Sequence, residues 1–353
     1  MSYKKAGVDI DAADAAKRAM ATSMETRDPR VLNSLGPFAS LFDARFPEYK
    51  EPVLVLKMEE PGSKQKLAFQ HGRVHSICYD LVHHLVNDVI VMGARPLAVL
   101  DCVVCGKLEH GTVPAIVSSL ADACREQDCT LVGGETSEQP GVVPAGVYIL
   151  TASAVGVVER SQIIDGSRIV EGDVVLAVAS NGLHTNGYSL VRALIDQQPR
   201  MIHEDVAGEP FLEALLRPHL CYYRSVRGLF GKPGTAGTSG LHGMAHITGG
   251  GIGGNLNRIL PPGLDAAVDL GHLRIPPIFK HIRAALAAAG TGQVDEMDML
   301  RTFNLGVGLT IVSAADAAAA IQAHMIEQRC DCYPIGEIVK GEQKVTFRGK
   351  LRW

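Results

Sequence analysis

The hydrophobic pattern of the chain alternates between short apolar runs and longer stretches with a helical period. Apolar runs predict strands, and stripes that repeat every three to four residues predict helices. In the first half we expect strands at 52–56, 97–104, 130–132 and 148–157, and helices at 12–18, 80–92 and 114–126. In the second half we expect strands at 174–178, 307–312, 333–339 and 344–347, and helices from residue 188, at 277–289 and at 315–327. Strands alternating with helices over short connections indicate a mixed α/β fold.

The length of the chain predicts two domains. Its 353 residues exceed the usual size of a single domain. Two charged glycine turns, at 165–167 and 171–173, mark the expected boundary. The predicted domains are therefore residues 1–170 and 171–353. The glycine-rich segment 229–243 is expected to be a flexible connection inside the second domain.

Composition and charge exclude several classes of protein. Hydrophobic residues make up 46% of the chain and charged residues 20%, which excludes a disordered protein. The net charge of -4, without a lysine or arginine cluster, argues against nucleic-acid binding. The longest uncharged run, 139–158, is interrupted by prolines and glycines, so we expect no membrane span. The N-terminus has no apolar signal core, and we expect a cytoplasmic protein.

Cysteine and histidine spacing gives little support for a metal centre. The eight cysteines are expected to be reduced in the cytoplasm. Cys102 and Cys105 have the spacing of half a zinc site, but residues three apart on a strand point to opposite faces. His83 and His84 are adjacent, which is not the spacing of a helical metal pair, so a structural role is favoured. Zinc or redox use stays open as the less favoured alternative to core packing.

Three segments combine acids with chemistry-bearing neighbours. Gly133-Gly134-Glu135 and the residues up to Gly141, which include Glu138, are interpreted as a turn after a strand. The 57–64 loop carries Glu59, Glu60 and Lys64, and is either an exposed turn or a phosphate and metal loop. The 80–92 helix places Asp80, His84, Asn87 and Asp88 on one face, which is either a solvated surface or the wall of a ligand site.

Glu59, Asp88 and Glu135 are three acids from three separate elements, and together they suggest a magnesium site. Magnesium prefers oxygen ligands and takes a few carboxylates together with phosphate and water. Glycine-rich loops at 180–187 and 246–254 could complete a nucleoside triphosphate site, because backbone N–H groups bind anions. Gly249, Gly251 and Gly254 match a dinucleotide pattern, but no acid follows about twenty residues later, so we retain only a phosphate-sized loop.

Several longer strings give the chain a specific resemblance. They include Val86-Asn87-Asp88, Gly133-Gly134-Glu135-Thr136 and His184-Thr185-Asn186-Gly187, the last continuing to residue 192. Further strings occupy 2–10, 106–108, 163–166, 248–251 and 301–304. Their order resembles that of the aminoimidazole ribonucleotide synthetase family, also called phosphoribosylformylglycinamidine cyclo-ligases. The resemblance covers nearly the whole chain.

The resemblance implies an enzyme of purine biosynthesis. Members of this family use ATP and Mg²⁺ to close the imidazole ring of formylglycinamidine ribonucleotide, releasing ADP and phosphate. The amide oxygen is phosphorylated and becomes a leaving group that the neighbouring nitrogen displaces. The resemblance also implies a homodimer of two-domain α/β protomers, in which the N-terminal halves build a β-barrel across the interface.

The resemblance also assigns roles to individual residues. Asp88, Glu135 and His184 are the implied catalytic residues, and Glu59, Asp88 and Glu135 the implied magnesium ligands. The implied ATP and phosphate contacts are Lys64, Asn87, Lys107, Thr136, Asn186, Thr248, Gly249, Gly250 and Gly251. One segment departs from the family, because Met58-Glu59-Glu60-Pro61-Gly62-Ser63-Lys64 stands where Thr-Asp-Gly-Val-Gly-Thr-Lys is usual. Either Glu59, Glu60 or neither replaces the usual aspartate.

Two alternatives remain at the level of the sequence. Related ATP-using enzymes that phosphorylate thiamine monophosphate or selenide, or dehydrate a carbamoyl group, share the acidic triad but not the 184–192 string. A nucleotide-binding homologue without catalytic activity is the alternative from a different functional class.

Overall fold

The computed structural model describes residues 28–33, 38–109, 111–232, 240–289 and 295–353. The helix expected at 12–18 lies outside these residues. The first part of the fold contains strands β1 (Pro52–Glu59), β2 (Arg95–Cys105), β3 (Thr130–Glu138) and β4 (Tyr148–Glu159), and helices α1 (Lys64–Gln70), α2 (Val74–Ile90) and α3 (Thr112–Glu126). The strands form one sheet in the order β1-β4-β2-β3, in which only β2 and β3 run parallel.

Helix α2 is the central element of the molecule. All but three of its 17 residues are buried. The buried residues include Asp80, His84 and Asn87, which lie on the face interpreted from the sequence as either a solvated surface or the wall of a ligand site. One side packs on the first sheet and on α3, while the other side meets residues 216–223. Fully buried leucines such as Leu81 and Leu85 each contribute roughly 1.5–3 kcal/mol. The polar residues of this helix therefore lie inside the protein.

The second part of the fold is a six-stranded sheet with its helices. Its strands are β5 (Val174–Ala179), β8 (Leu241–His246), β9 (Leu264–Asp269), β10 (Val307–Ser313), β11 (Cys332–Lys340) and β12 (Val345–Arg348), in the order β12-β9-β11-β5-β10-β8. A small hairpin joins β6 (Asp205–Val206) to β7 (Glu209–Pro210). The helices are α4 (Tyr188–Gln197), α5 (Phe211–Leu216), α6 (Tyr223–Val226), α7 (Gly251–Leu256), α8 (Pro277–Ala288), α9 (Glu296–Thr302) and α10 (Ala318–Glu327).

The two sheets share one hydrophobic core. A continuous cluster of buried side chains runs from Leu67 in α1 to Leu351 near the C-terminus. Strand β10 is buried at every position, as expected for an inner strand covered on both faces. The two parts of the fold therefore stabilise each other through this core.

One predicted turn is a strand. Residues 133–138 continue β3, and Gly134 pairs with Asp101 of β2. A Cβ on Gly134 would lie 2.1 Å from Asp101 Oδ1, so a larger residue does not fit there. The glycines that suggested a turn are instead needed for close packing beside a buried carboxylate. Glu138, a further acid of this segment, accepts a hydrogen bond from the Leu108 backbone N–H at 2.8 Å.

The mixed α/β class is confirmed, but the described residues contain no closed barrel, since both large sheets are open. One face of the first sheet is uncovered: Leu54, Leu56 and Met58 of β1 are 53%, 72% and 64% exposed. None of the helices among the described residues is long and apolar enough to cross a membrane.

Candidate active site

Two carboxylates and a lysine form the centre of the candidate site. Lys57 Nζ lies 3.0 Å from Glu59 Oε2 and 2.9 Å from Asp88 Oδ2. His246 Nδ1 is 2.7 Å from Asp88 Oδ1, and His84 Nε2 lies 3.7 Å from Glu59 and 3.8 Å from Asp88. These five residues are called the junction cluster below, because they join the two parts of the fold.

Local periodicity explains why these side chains meet. Alternation along β1 places Lys57 and Glu59 on the face that packs against α2. On α2, His84 and Asp88 are one helical turn apart and point to the same side. His246 is the last residue of β8, from the second sheet. Of the two acids in the divergent loop, Glu59 therefore belongs to the cluster, while Glu60 is exposed.

The electrostatics of the cluster keep both acids ionised. Burial opposes the charge of Asp88, but the hydrogen bond and charge of His246, together with Lys57, hold its pKa below the usual range. Burial also opposes the charge of Glu59, whose pKa is lowered by the Glu60 backbone N–H, His84 and Lys57. Burial lowers the pKa of His84 to about 4, so this imidazole is neutral at pH 7. Because one ammonium group already lies between two carboxylates, the donor set fits a hard divalent cation.

Several predicted phosphate residues gather beside the cluster. The loop after β1 packs on the start of α4, where Ser63 Oγ lies 3.3 Å from Ser189 Oγ. A Cβ on Gly62 would meet the Thr185 carbonyl at 3.2 Å. Asn186 Oδ1 lies 3.4 Å from the position that a Cβ on Gly249 would have. The Glu59 loop and the predicted strings 184–192 and 248–251 therefore adjoin one another.

The glycine loop before α7 has a conformation that other residues would strain. Gly250 and Gly251 have φ angles of 95° and 63°, and a Cβ on Gly251 would lie 1.7 Å from the Leu300 carbonyl oxygen. The Asn255 side-chain amide donates to the carbonyls of Thr248, Gly249 and Gly251. The loop is thus fixed from within, and Gly249 and Gly250 are exposed.

Three predicted contacts have other surroundings in this structure. Lys64 is fully buried, and its Nζ donates to Asp80 at 2.9 Å and to the Arg217 carbonyl at 2.8 Å. Asn87 is also buried and bonds the backbone of residues 220 and 222. Lys107 is exposed in the loop after β2. The phosphate-binding roles of these three residues stay predictions. Lys64 was expected in a loop, but this is wrong, because Lys64 is the first residue of α1 and is buried in the core.

Glu135 does not join Glu59 and Asp88. The register aligns Glu59 with Ala152, Asp101 and Gly134 across the sheet, so β1 and β3 are opposite edge strands, about 14 Å apart. Glu135 pairs with Cys102, which places both on the uncovered face of the sheet, and Thr136 N donates to the Glu135 carboxylate at 2.8 Å. Of the three acids expected to meet, Glu59 and Asp88 therefore lie together, and Glu135 lies apart.

A buried carboxyl, that of Asp101, lies on β2 between the strands that carry Glu59 and Glu135. Asp101 is 6% exposed, and burial raises its pKa to about 7. This residue was not predicted as a site residue from the sequence, nor were Lys57, His219 and His246. An acid inside the apolar 97–104 run was the available signal for Asp101. The histidines carry no such signal, because they come from segments far apart in the chain.

His184, an implied catalytic residue, lies beneath the junction cluster. It is 2% exposed and stacks on His219, with ring centroids 3.9 Å apart. Thr185 Oγ1, next along the chain, lies 3.2 Å from His84 Nδ1. The structure thus brings His184 close to the cluster without placing it at the surface.

Comparison with known proteins identifies the family. The model for the AIR synthase related protein N-terminal domain matches residues 50–158, and the model for the C-terminal domain matches residues 170–348. The chain belongs to the AIR synthase related family. The resemblance stated from the sequence motifs is therefore confirmed.

Curated members of this family are similar to the chain along nearly its whole length. A phosphoribosylformylglycinamidine cyclo-ligase of Aromatoleum aromaticum is 46% identical over 325 residues, covering 91% of this chain and 90% of the relative. Another, from Methylobacillus flagellatus, is 42% identical over 339 residues, covering 96% and 94%.

Solved structures share the fold at low identity. A thiamine-monophosphate kinase from Stenotrophomonas maltophilia has a TM-score of 0.66 at 19% identity, covering 97% of each chain. The hydrogenase maturation protein HypE in complex with ATP has a TM-score of 0.60 at 19% identity, covering 94% of this chain and 88% of HypE. The same fold therefore also occurs in a thiamine-monophosphate kinase and in a hydrogenase maturation protein.

Proposed function

We propose that this AIR synthase related protein closes the imidazole ring of formylglycinamidine ribonucleotide in an ATP-dependent reaction. The products are aminoimidazole ribonucleotide, ADP and phosphate. The observation that carries the proposal is 46% identity, over nine-tenths of both chains, to a protein with this activity in its name. The junction cluster beside an exposed glycine loop supports it, because phosphoryl transfer needs charge neutralisation and backbone donors.

The proposed reaction has two steps, a phosphoryl transfer and a displacement of phosphate by nitrogen. The amide oxygen of the substrate takes the γ-phosphoryl group of ATP, and the bond from that group to ADP breaks. The neighbouring nitrogen then attacks the activated carbon, a C–N bond forms, the C–O bond breaks, and phosphate leaves. Positioning of the two substrates and stabilisation of the phosphate charge are the main tasks of the protein.

Glu59 and Asp88 are the residues that would hold Mg²⁺ in this reaction. A bound Mg²⁺ would neutralise the charge that develops on the transferred phosphoryl group. Asn186 and the backbone of Gly249 and Gly250 bind phosphate oxygens at the open side of the cluster, while His184 supports this wall from beneath. His246 orients Asp88 through its Nδ1 hydrogen bond of 2.7 Å.

The uncovered sheet face supports a homodimer, with a β-barrel built across the interface. Leu54, Leu56 and Met58 share this face with Leu100 of β2 and Ile149 of β4, which are 40% and 38% exposed. Met58, Ser153 and Leu100 lie in one row of the sheet. A continuous apolar sheet face of this kind is usually covered by a partner. Glu135 and Thr136 lie on the edge strand β3, and Lys107 follows the neighbouring strand β2. We propose that these residues act on nucleotide at the dimer interface.

Leu56→Glu tests the dimer, because it buries a charge in the proposed interface. We expect the variant to elute as a monomer when light scattering is measured, whereas Leu32→Glu, at another exposed leucine, should leave the mass unchanged. A wild-type protein that is monomeric at all concentrations would contradict the dimer without affecting the proposed chemistry.

The two family matches support a domain boundary near residue 170, as expected from the sequence. We also propose that the enzyme acts in the cytoplasm, where its eight free cysteines stay reduced.

Ring closure is tested with purified protein, ATP, Mg²⁺ and formylglycinamidine ribonucleotide. We expect stoichiometric formation of aminoimidazole ribonucleotide and phosphate. Binding of ATP without product, in the presence of Mg²⁺ and substrate, would instead identify a catalytically silent homologue. Phosphoryl transfer to thiamine monophosphate serves as the control for the related kinases.

A further inference from the structure

Three histidines meet beneath the junction cluster. His184 precedes α4, His219 lies between α5 and α6, and His246 ends β8. One ring nitrogen from each lies within 4.8 Å of the others. All three are buried, with exposed fractions of 2%, 1% and 5%. They come from three segments of the chain, so no local spacing accounts for their convergence.

The hydrogen bonds of His246 define which of its nitrogens is available. Its Nδ1 lies 2.7 Å from Asp88 Oδ1, and because an ionised carboxylate only accepts, Nδ1 carries the proton. Its Nε2 faces His219 Nε2 at 3.0 Å. A histidine whose second nitrogen donates to a carboxylate is the usual arrangement around a bound metal ion. Asp88 thus fixes the ring and leaves Nε2 pointing into the group of histidines.

The other two rings have unused nitrogens. Within the described part of the chain, both ring nitrogens of His184 and Nδ1 of His219 are buried and have no hydrogen-bond partner. A buried polar atom without a partner is unfavourable, because it loses its hydrogen bonds to water and gains none in return. His184 also has a φ of 63°, which is unfavourable for residues other than glycine. His219 Nε2 pairs with His246 Nε2, so the unpaired nitrogens of this group are both nitrogens of His184 and Nδ1 of His219.

We propose that His184, His219 and His246 form a binding site for a transition-metal ion of the zinc class. Neutral imidazoles suit Zn²⁺, Co²⁺ and related ions, whereas Mg²⁺ prefers oxygen ligands. With bonds of about 2.0–2.1 Å, two nitrogens of a tetrahedral site lie about 3.3 Å apart. The Nε2 atoms of His219 and His246, 3.0 Å apart, are close to this separation. The His184 ring is stacked on His219, so it must turn out of this stack to bring a nitrogen to the ion. The fourth position is left for a water molecule.

This site is separate from the proposed magnesium site. The magnesium ligands Glu59 and Asp88 face Lys57, whereas the histidine nitrogens face one another on the far side of the His246 ring. Asp88 belongs to both through different oxygens, Oδ2 toward Lys57 and Oδ1 toward His246. Zinc binding needs no nucleotide, so it is measured independently of ring closure.

Metal binding is tested on the full-length protein after removal of any affinity tag. The protein is stripped with a chelator, titrated with Zn²⁺ or Co²⁺, dialysed and analysed for bound metal. We expect one equivalent per chain, and visible d–d absorption of Co²⁺ with the intensity of a tetrahedral site. His219→Gln and His246→Gln should each lower the affinity at least tenfold, in line with loss of one ligand.

Matched variants separate this site from other sources of binding. His242→Gln removes a histidine that also contacts a carboxylate, Asp173 at 2.7 Å, but lies outside the group, and it should bind metal like the wild type. Glu59→Gln should also retain Zn²⁺, and excess Mg²⁺ should not displace it. Circular dichroism and thermal unfolding without metal show whether each variant is folded.

The proposal is overturned if the wild type retains no Zn²⁺ or Co²⁺. It is equally overturned if folded His219→Gln and His246→Gln variants bind both ions as tightly as the wild type. Loss of Zn²⁺ in Glu59→Gln, with full binding in His219→Gln, would assign the ion to the carboxylates instead.

Discussion

The molecule contains two lysine–aspartate pairs that differ mainly in their surroundings. Lys64 and Asp80 are 2.8 Å apart, and neither side chain has any exposed surface. Lys57 and Asp88 are 2.9 Å apart, with side chains 33% and 20% exposed. The buried pair has additional partners in the Arg217 carbonyl and the His219 backbone N–H. The partly exposed pair has a second carboxylate, Glu59, on Lys57 and a histidine, His246, on Asp88.

The access of water to each pair indicates whether a lysine and an aspartate serve the fold or the proposed site. Inside the protein, each charge depends on its partner, because water cannot replace it. At the junction cluster, water and ions can reach the charges, and two acids share one lysine. The Lys64–Asp80 pair therefore holds α1, α2 and residues 217–219 together, while the Lys57–Asp88 pair lies at the magnesium site that we propose.

Asp80→Asn is expected to have the largest effect on stability. It leaves the Lys64 ammonium buried without a counter-charge, which typically costs about 3–5 kcal/mol. Urea unfolding measures this loss. Asp88→Asn is the matched comparison and should cost less than about 1.5 kcal/mol, since its pair is partly exposed. Equal losses in the two variants would contradict the contrast between the pairs.

Asp101→Asn shows what a buried aspartate does without a lysine. Burial raises the pKa of Asp101 from 3.8 to about 7, so folding favours its neutral form. Its contribution to stability is complete below pH 3.8 and is lost as the pH rises to about 7. The shift corresponds to about 4 kcal/mol above pH 7.

The amide of asparagine has no such pH dependence. We therefore expect Asp101→Asn to be more stable than the wild type above pH 7 and similar to it near pH 4. Urea unfolding at these two extremes measures the difference. A wild type and variant with parallel stability profiles would show that Asp101 titrates normally.

Asp88→Asn is expected to reduce ring closure about 100-fold while the protein remains folded. Removing one group that stabilises developing charge typically costs 10²–10³ in rate. Glu60→Gln, which changes an exposed acid of the same loop, is the control and should retain near-normal turnover. If Glu60→Gln lost activity and Glu59→Gln did not, Glu60 would be the loop acid that holds the metal.

Lys57→Met is expected to have the smallest effect, a several-fold increase in Mg²⁺ affinity. The lysine neutralises Glu59 and Asp88 and must leave before an ion binds between them. Isothermal titration of Mg²⁺ in the presence of a non-hydrolysable ATP analogue measures this change, with Lys50→Met as a control at a lysine outside the cluster. A weaker Mg²⁺ affinity would mean that Lys57 contacts the phosphates instead.

Element positions were largely predictable from the sequence, because they depend on local periodicity. The 80–92 helix and the 97–104 strand are both present, each longer than expected. The end of β3 was not predictable in this way: Gly133 and Gly134 favour a turn, but pairing with β2 and the space needed by Asp101 keep the chain extended.

The candidate site was predictable only in part. Glu59 and Asp88 were both singled out and do meet, but Glu135 is separated from them by the order of the strands. Strand order and register depend on pairing across the sheet, which the residue pattern of one strand does not contain. The same reason explains why His219 and His246 were overlooked, since only the folded chain brings them to Asp88 and His184.

The Asn87 side chain has a mechanical consequence for the whole enzyme. Its amide group donates to the Leu220 carbonyl at 2.8 Å, while its oxygen accepts from the Tyr222 N–H at 2.9 Å. Two bonds from one side chain pin α2 to the opposite half of the protein. Asp88, one residue further along α2, also bonds His246 of the second sheet. Successive residues of α2 therefore fix the distance between the two halves of the protein at the point where the candidate site lies.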